Sequence, residues 1–336
     1  MDKILLSTTM NRRIIYFLLS LFLLLGGCAT VPETTETDHS LPVINLAGYP
    51  FHAEAFGNPE HPVLIILHGG PGADYKYLRH LKALADKYFV VFYDQRGTGL
   101  SPRVVASDIT LSVFIEDLNL FAHHFSPERP VILLGHSWGA MLATAYTSQY
   151  PHRVNSLVLA EPQFLDQSTI DSLPGGWPGI RVVWGVTKAW FAKWTVKTNG
   201  DPYARSDYFL SRLILLVQQP AELCNGKLPA MQMNRFGSPA FDATIGRVMA
   251  EPEFAKTLNF VEGIERFKGR ALFLTGACNT LYGAHFQKQH LKLFNNAQLI
   301  DIADAGHFMF NDQPETTQRA VRVFLGLGST GNLKEN

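Results

Sequence analysis

From about residue 43 onward the chain alternates short unbroken apolar runs with stretches of helical periodicity, and no other feature limits the possible fold so strongly. The runs are VLIILH (63–68), FVVFYD (89–94), VILLGH (131–136), SLVLAE (156–161), ALFLTG (271–276) and AQLIDI (297–302), each closed by glycine or a polar residue. Strands buried on both faces read this way, because helices covering both sides of a parallel sheet leave no solvated face. Between the runs, LSVFIEDLNLFAHHF, AMLATAYTSQY and AHFQKQHLKLF space their apolar residues as helices do. The pattern predicts an α/β fold with a doubly wound, mostly parallel sheet.

The alternation stops from about 165 to 265, an interval that carries tryptophans 177, 184, 190 and 194. It is read as a helical lid (165–265) inserted between two parts of one core, 45–164 and 266–330. Trp190 and Trp194, four residues apart, share a helix face, which suits either packing or an aromatic wall over an apolar substrate group.

Composition narrows the function classes. Of 336 residues, 46% are hydrophobic and 17% charged, with Lys plus Arg equal to Asp plus Glu at 29 each, enough apolar material for a sizeable core. With no block of like charge, nucleic acid is not an expected partner, and a small molecule or short peptide is the expected substrate. No CxxC and no histidine pair at i, i+4 appears, so neither a metal nor another cofactor is expected.

At the N-terminus Arg12 and Arg13 precede IIYFLLSLFLLL, too short for a comfortable membrane span but suited to a secretory signal. Leu25-Gly26-Gly27-Cys28 resembles the lipobox of bacterial lipoproteins. That resemblance implies a signal peptide (1–28), lipidation of Cys28 and a polar tether (29–44). With Ala29 following, it implies anchoring in the cell envelope, at the outer membrane facing the periplasm. Cys224 and Cys278 remain in the body of the chain, either as a disulfide or as two buried thiols.

The chemistry gathers around Gly135-His136-Ser137-Trp138-Gly139, a G-x-S-x-G set between an apolar strand and a helix rich in small residues. That context makes a strained elbow and exposes the Ser137 hydroxyl as a nucleophile, with the Trp138 N–H and the helix N-terminus positioned to stabilise an oxyanion. The loop His68-Gly69-Gly70-Pro71-Gly72 supplies a second oxyanion donor, the Gly70 N–H, with His68 holding the loop. His307, in Gly306-His307-Phe308 after the last strand, is the candidate base, whereas His123, His124 and His152 sit in helical or surface contexts.

HGGPG, then Asp94-Gln95-Arg96-Gly97-Thr98-Gly99, then GHSWGA and GHF resemble the α/β-hydrolase superfamily near the proline iminopeptidases, over about residues 45 to 330. The resemblance implies that Asp94 and Arg96 brace loops. It also implies a catalytic Asp after the ALFLTG strand, where this chain has Asn279 in ACNT. Glu161, at the C-terminal end of SLVLAE, is the alternative acid, as in certain haloalkane dehalogenases that carry their acid at this position, although those use an Asp nucleophile. Asn279 and loop residues such as Asp304 stay open as the third member.

The resulting expectation is a serine hydrolase of esters or amides, with Ser137, His307 and Glu161 as its triad. An iminopeptidase that binds a substrate amino terminus through a lid glutamate (Glu222, Glu251, Glu253 or Glu262), a C–C bond hydrolase, and a non-catalytic binding protein on the same fold are the alternatives.

Overall fold

The structure, a computed structural model, describes residues 29–171, 180–216 and 218–327. Cys28, the segment before it and Trp177 lie outside the described residues. The six apolar runs form β3 (Val63–Leu67), β4 (Phe89–Tyr93), β5 (Val131–His136), β6 (Val154–Ala160), β7 (Arg270–Gly276) and β8 (Ala297–Ile302). Two further strands, β1 (Val43–Leu46) and β2 (Tyr49–Phe56), precede them, giving one eight-stranded sheet of order β1-β2-β4-β3-β5-β6-β7-β8. β1, β2 and β4 pair antiparallel, and every pairing from β4 to β8 is parallel.

Alternate strand residues feed two separate cores, as the period of two requires. Ile65, Leu67, Leu133, Leu157, Leu159 and Phe273 meet one helical layer, while Leu64, Ile66, Leu134, Val158 and Leu274 meet the other. α1 (Leu111–Phe125) starts at the Thr110 cap, whose side chain accepts from Val113 N–H, and buries Phe114, Ile115, Leu118, Phe121 and Ala122 along one stripe. α2 (Trp138–Gln149) is buried from Trp138 to Ser148, which its Gly139, Ala140, Ala143 and Ala145 allow by letting the helix lie close to the sheet.

Between β6 and β7 the chain leaves the sheet through α3 (Ile180–Ala192), α4 (Ala204–Leu216) and several short turns. α5 (Ala284–Leu291) and α6 (Pro314–Phe324) then complete the layers. The excursion is fastened over the C-terminal ends of the strands. Gly237 N–H donates to Gly72 C=O (2.7 Å), and the amides of Asn234 and Arg235 donate to the Asp74 carboxylate. Arg103 and Arg235 share the buried Asp207 carboxylate, at 2.8 and 2.7 Å. Trp190 and Trp194 are about half exposed, and their rings meet each other at 6.2 Å between centroids instead of entering the core. Their side of the helix turns to solvent, so they do not serve the core packing that their spacing allowed.

The stretch 29–44, read from its polarity as a tether, is held against the fold. Thr34 and Thr35 are buried, Thr35 N–H donates to Leu100 C=O (2.8 Å), and Arg235 donates to Pro32 C=O (2.9 Å). Backbone hydrogen bonding, which leaves no hydropathy signal, fixes this segment.

Candidate active site

The elbow is visible in the backbone. Ser137 has φ 54° and ψ −120°, a conformation rare for a residue with a side chain, and it sits between β5 and α2. A Cβ at Gly135 would run into the backbone of Gly139 and Ala140, and one at Gly139 into the carbonyls of Leu67 and His68. Only glycine permits strand and helix to approach so closely here. Ser137 N–H is tied to Ala160 C=O (2.8 Å), and among the described residues the Ser137 hydroxyl makes no hydrogen bond.

His307 and Glu161, 146 residues apart in the chain, meet at 2.7 Å between Nδ1 and Oε2. Both are buried. With Nδ1–H donating to the carboxylate, Nε2 carries the ring's lone pair. Burial by itself pulls the His307 pKa down, but the Glu161 hydrogen bond and charge, together with the Glu222 charge, outweigh it and leave the pKa raised.

Glu161 lies one residue past β6 with φ 44°, and its carboxylate is fully hydrogen-bonded. Thr275 Oγ1 (2.9 Å) and Gly276 N–H (2.8 Å) donate to Oε1, while Asn279 Nδ2 (2.7 Å) and the His307 ring share Oε2. Asn279 thus faces the carboxylate, not the imidazole. Its own Oδ1 accepts the amides of Leu281 and Tyr282, both at 3.0 Å, which fixes the amide orientation. Asp304 is exposed and has no contact with the ring.

A histidine that sequence reasoning passed over joins the loops. His136 Nε2 must donate to His307 C=O (2.7 Å), so Nδ1 accepts from Tyr77 O–H (2.7 Å), and Tyr77 in turn accepts Gly69 N–H (2.8 Å). Burial, with the nearby His307 ring, pulls the His136 pKa down to about 3, which keeps it neutral as this chain of bonds demands. One imidazole therefore sets the oxyanion loop, the elbow and the His307 loop relative to one another. Its only trace in the sequence is the variable position of G-x-S-x-G.

The oxyanion side is braced in the same way. His68 holds Gly69 C=O (2.8 Å) and accepts Gln95 N–H (3.1 Å), while Gln95 Oε1 takes the indole N–H of Trp138 (2.9 Å). Among the described residues the backbone N–H groups of Gly70 and Trp138 are without a protein acceptor, as donors to a ligand oxygen must be. Asp94 accepts Leu100 N–H (2.7 Å) and Tyr75 N–H (3.0 Å), and Arg96 grips Asp117 through two bonds.

Of the four glutamates considered for amine binding, Glu251, Glu253 and Glu262 are exposed and Glu222 is buried. Burial raises the Glu222 pKa, the His307 ring opposes that, and the Glu161 charge adds to it. Its backbone carbonyl accepts His307 N–H at 2.7 Å. The thiols left open by the sequence are joined: Cys224 and Cys278 form a disulfide. It ties the turn carrying Glu222 to the loop carrying Asn279.

Beside the elbow lies a cavity of about 190 Å³, walled by Trp138, Phe164, Ile109, Leu111, Ile245, Val248 and Leu258, with Arg247 among the few polar groups. It shares Ile109, Thr110, Ala243 and Arg247 with an open groove along residues 106–110 and 242–251, so the two are contiguous.

The alpha/beta hydrolase fold model matches residues 62–314. A proline iminopeptidase of Heyndrickxia coagulans is 40% identical over 100 residues, 30% of this chain and 34% of that protein. The likeness thus spans about a third of that relative's length. A cis-3-alkyl-4-alkyloxetan-2-one decarboxylase of Xanthomonas campestris pv. campestris is 23% identical over 283 residues, covering 80% of this chain and 90% of its own. The crystal structure of a proline iminopeptidase of Mycobacterium smegmatis superposes with TM-score 0.56 at 18% identity, covering 85% of this chain and 97% of its own, a likeness of fold.

Proposed function

The chain belongs to the alpha/beta hydrolase family, and from that premise we propose that it is a serine hydrolase working through an acyl-enzyme. Ser137 attacks a carbonyl carbon while His307 takes its proton, Glu161 stabilises the imidazolium, and the amides of Gly70 and Trp138 hold the oxyanion. His307 returns the proton to the leaving alcohol or amine. It then deprotonates the water that releases the acyl group from Ser137. The observation that carries this reading is the buried Glu161–His307 contact at 2.7 Å, next to a serine in a strained conformation.

A fluorophosphonate probe tests the reading directly. Ser137 is expected to be labelled in the wild type and not in Ser137→Ala. The rate should follow neutral His307, because the protonated ring cannot accept the serine proton. With the pKa raised by Glu161, the rate climbs with pH through a midpoint above 6.5, the ordinary value, and Glu161→Gln moves that midpoint down. Labelling of Ser137→Ala at the wild-type rate would sink the assignment.

The cavity beside Trp138 supports an apolar group on the scissile carbonyl. Its volume of about 190 Å³ and its mostly apolar walls suit a short acyl chain. In a panel of aryl esters from acetyl to octanoyl, Leu258→Trp is expected to lower kcat/KM for the longer esters by about tenfold and to spare acetyl. Uniform loss along the series would assign the cavity no part in substrate binding.

Burial of Glu222 with no ion pair to its carboxylate among the described residues favours a second reading, an aminopeptidase whose substrate ammonium pairs with that carboxylate. Prolyl and other aminoacyl arylamides belong in the same panel. This reading requires Glu222→Gln to raise KM for those amides while KM for the acyl esters is unchanged.

Residues 165–265 act as the lid in either case. Export as a lipoprotein acylated at Cys28 completes the proposal, and the Cys224–Cys278 bond supports an oxidising compartment.

A further inference from the structure

The aromatic side of the lid has an arrangement that its core does not explain. Trp190, Phe191 and Trp194 are 45, 52 and 54% exposed, where large aromatic side chains are ordinarily covered. They form one cluster: the Trp190 ring lies 5.1 Å from Phe191 and 6.2 Å from Trp194 between centroids. Cations surround it. Lys193 Nζ stands 5.4 Å from the Trp190 ring and 5.3 Å from Trp194, and the Arg205 guanidinium lies 5.2 Å from Trp194. Lys188, Lys197 and Arg212 belong to the same stretch.

The acids of that stretch are spent internally, Asp207 on Arg103 and Arg235 and Asp201 on Arg235. What faces outward is therefore aromatic and positively charged. Such a face fits the boundary of a lipid bilayer, where indole rings sit between acyl chains and water and where lysine and arginine meet lipid phosphates.

A second observation, independent of exposure, places the N-terminal segment at the same face. Thr30 bridges to Lys197, and Lys197 N–H donates to Ala29 C=O at 3.0 Å. Arg235 holds Pro32 and Leu100 holds Thr35, so the point where residues 1–28 join the fold is fixed three residues along the chain from Trp194. Cys28 is one peptide bond from Ala29, and the apolar run 14–25 lies just before it. Among the described residues no helix is long and apolar enough to cross a membrane.

We propose that Trp190, Phe191 and Trp194, with Lys193, Lys197 and Arg205 around them, seat the lid in the headgroup region of a lipid bilayer, at the spot where the N-terminal segment enters it. The aromatic rings reach the upper acyl region and the cations pair with anionic headgroups. The lid is thereby held against the membrane. The surface itself does not depend on the catalytic reading, since none of its residues touches Ser137, His307 or Glu161.

The test uses the full chain bound to vesicles of phosphatidylethanolamine and phosphatidylglycerol, with or without lipid brominated near the headgroup end of its chains. Bromolipid is expected to quench the tryptophan emission, and Trp190→Phe/Trp194→Phe is expected to reduce that quenching by roughly threefold at an unchanged melting temperature. In Lys193→Glu/Arg205→Glu, which keeps both tryptophans, the quenching is expected to lose its increase with phosphatidylglycerol content. Equal quenching in the wild type and the tryptophan variant would overturn the proposal, because the signal would then come from elsewhere. Absence of quenching in the vesicle-bound wild type would overturn it too, and would leave a protein partner or residues 14–25 as the cover of this face.

Discussion

On the proposed serine mechanism, Glu161→Gln is expected to lower kcat by about 10⁴-fold, with little change in KM, because an amide keeps the shape of the proposed triad and removes the charge that would stabilise the imidazolium. The amide also reorganises the hydrogen bonds. In the wild type Oε2 accepts both Nδ1–H of His307 and Nδ2–H of Asn279, while Thr275 and Gly276 donate to Oε1. Four donors converge on the carboxylate, and the substituted amide can accept from only part of them, since one of its terminal atoms is itself a donor. A His307 tautomer with Nδ1 as acceptor then becomes favourable and places the proton on Nε2, the atom that must receive the serine proton.

The comparison with Asn279→Ala separates the acid from its neighbour. Asn279 supplies one of the four bonds and no charge, so its loss is expected to cost on the order of tenfold in kcat. A 10⁴-fold loss in Asn279→Ala with a small effect in Glu161→Gln would reverse the two roles. Each variant should retain its melting temperature to within a few degrees, which keeps the kinetic result free of misfolding.

The interior of the sheet was legible in the sequence because β3 to β7 are buried on both faces along almost their whole length and therefore spell apolar runs. β1 and β2 escaped notice for the opposite reason. They lie at an antiparallel edge, their burial is mixed, and the hairpin between them turns on Ala47 and Gly48, both at positive φ, without the Asn-Gly or Asp-Gly pair that announces such a turn. Glu161 could be found because a carboxylate ending a buried strand is costly without a partner. That reading already paired it with His307; only the structure shows the 2.7 Å contact between them.

What stayed hidden shares one property: it depends on contacts between loops far apart in the chain. His136 occupies a position the elbow motif leaves variable, and its function appears only when Tyr77 and the His307 carbonyl are seen on either side of it. Asn279 stands where the resemblance to the iminopeptidases implies an acid, so its type suggested loss, whereas the structure has its side-chain amide donating a hydrogen bond to Glu161. Trp190 and Trp194 have helical spacing that reads the same for a core face and for a surface one, because periodicity reports a common side of a helix and not what lies against it. The pairing of Cys224 with Cys278 was likewise open, since a sequence carries no distances.

Removing that disulfide is expected to have the largest effect on stability. The two cysteines are 54 residues apart, and the chain-entropy model assigns a cross-link of that span about 4 kcal/mol through restriction of the unfolded chain. Against a total of roughly 5–15 kcal/mol for a folded domain this is a large share. Cys224→Ser/Cys278→Ser should therefore lower the melting temperature by on the order of ten degrees. Wild type under a reducing agent should unfold at the same temperature as the variant. Activity should fall as well, though by less than in Glu161→Gln. The bond closes a small frame in which Ala221 C=O accepts Thr280 N–H (2.8 Å) and Glu222 C=O accepts His307 N–H (2.7 Å), so freeing the Cys224 turn loosens the loops behind both Asn279 and His307. Full activity with the temperature midpoint still low would show that these hydrogen bonds suffice to set the site. A midpoint within about one degree of wild type would mean that the remaining contacts already restrict the 54-residue span, and the entropic account of this cross-link would fail.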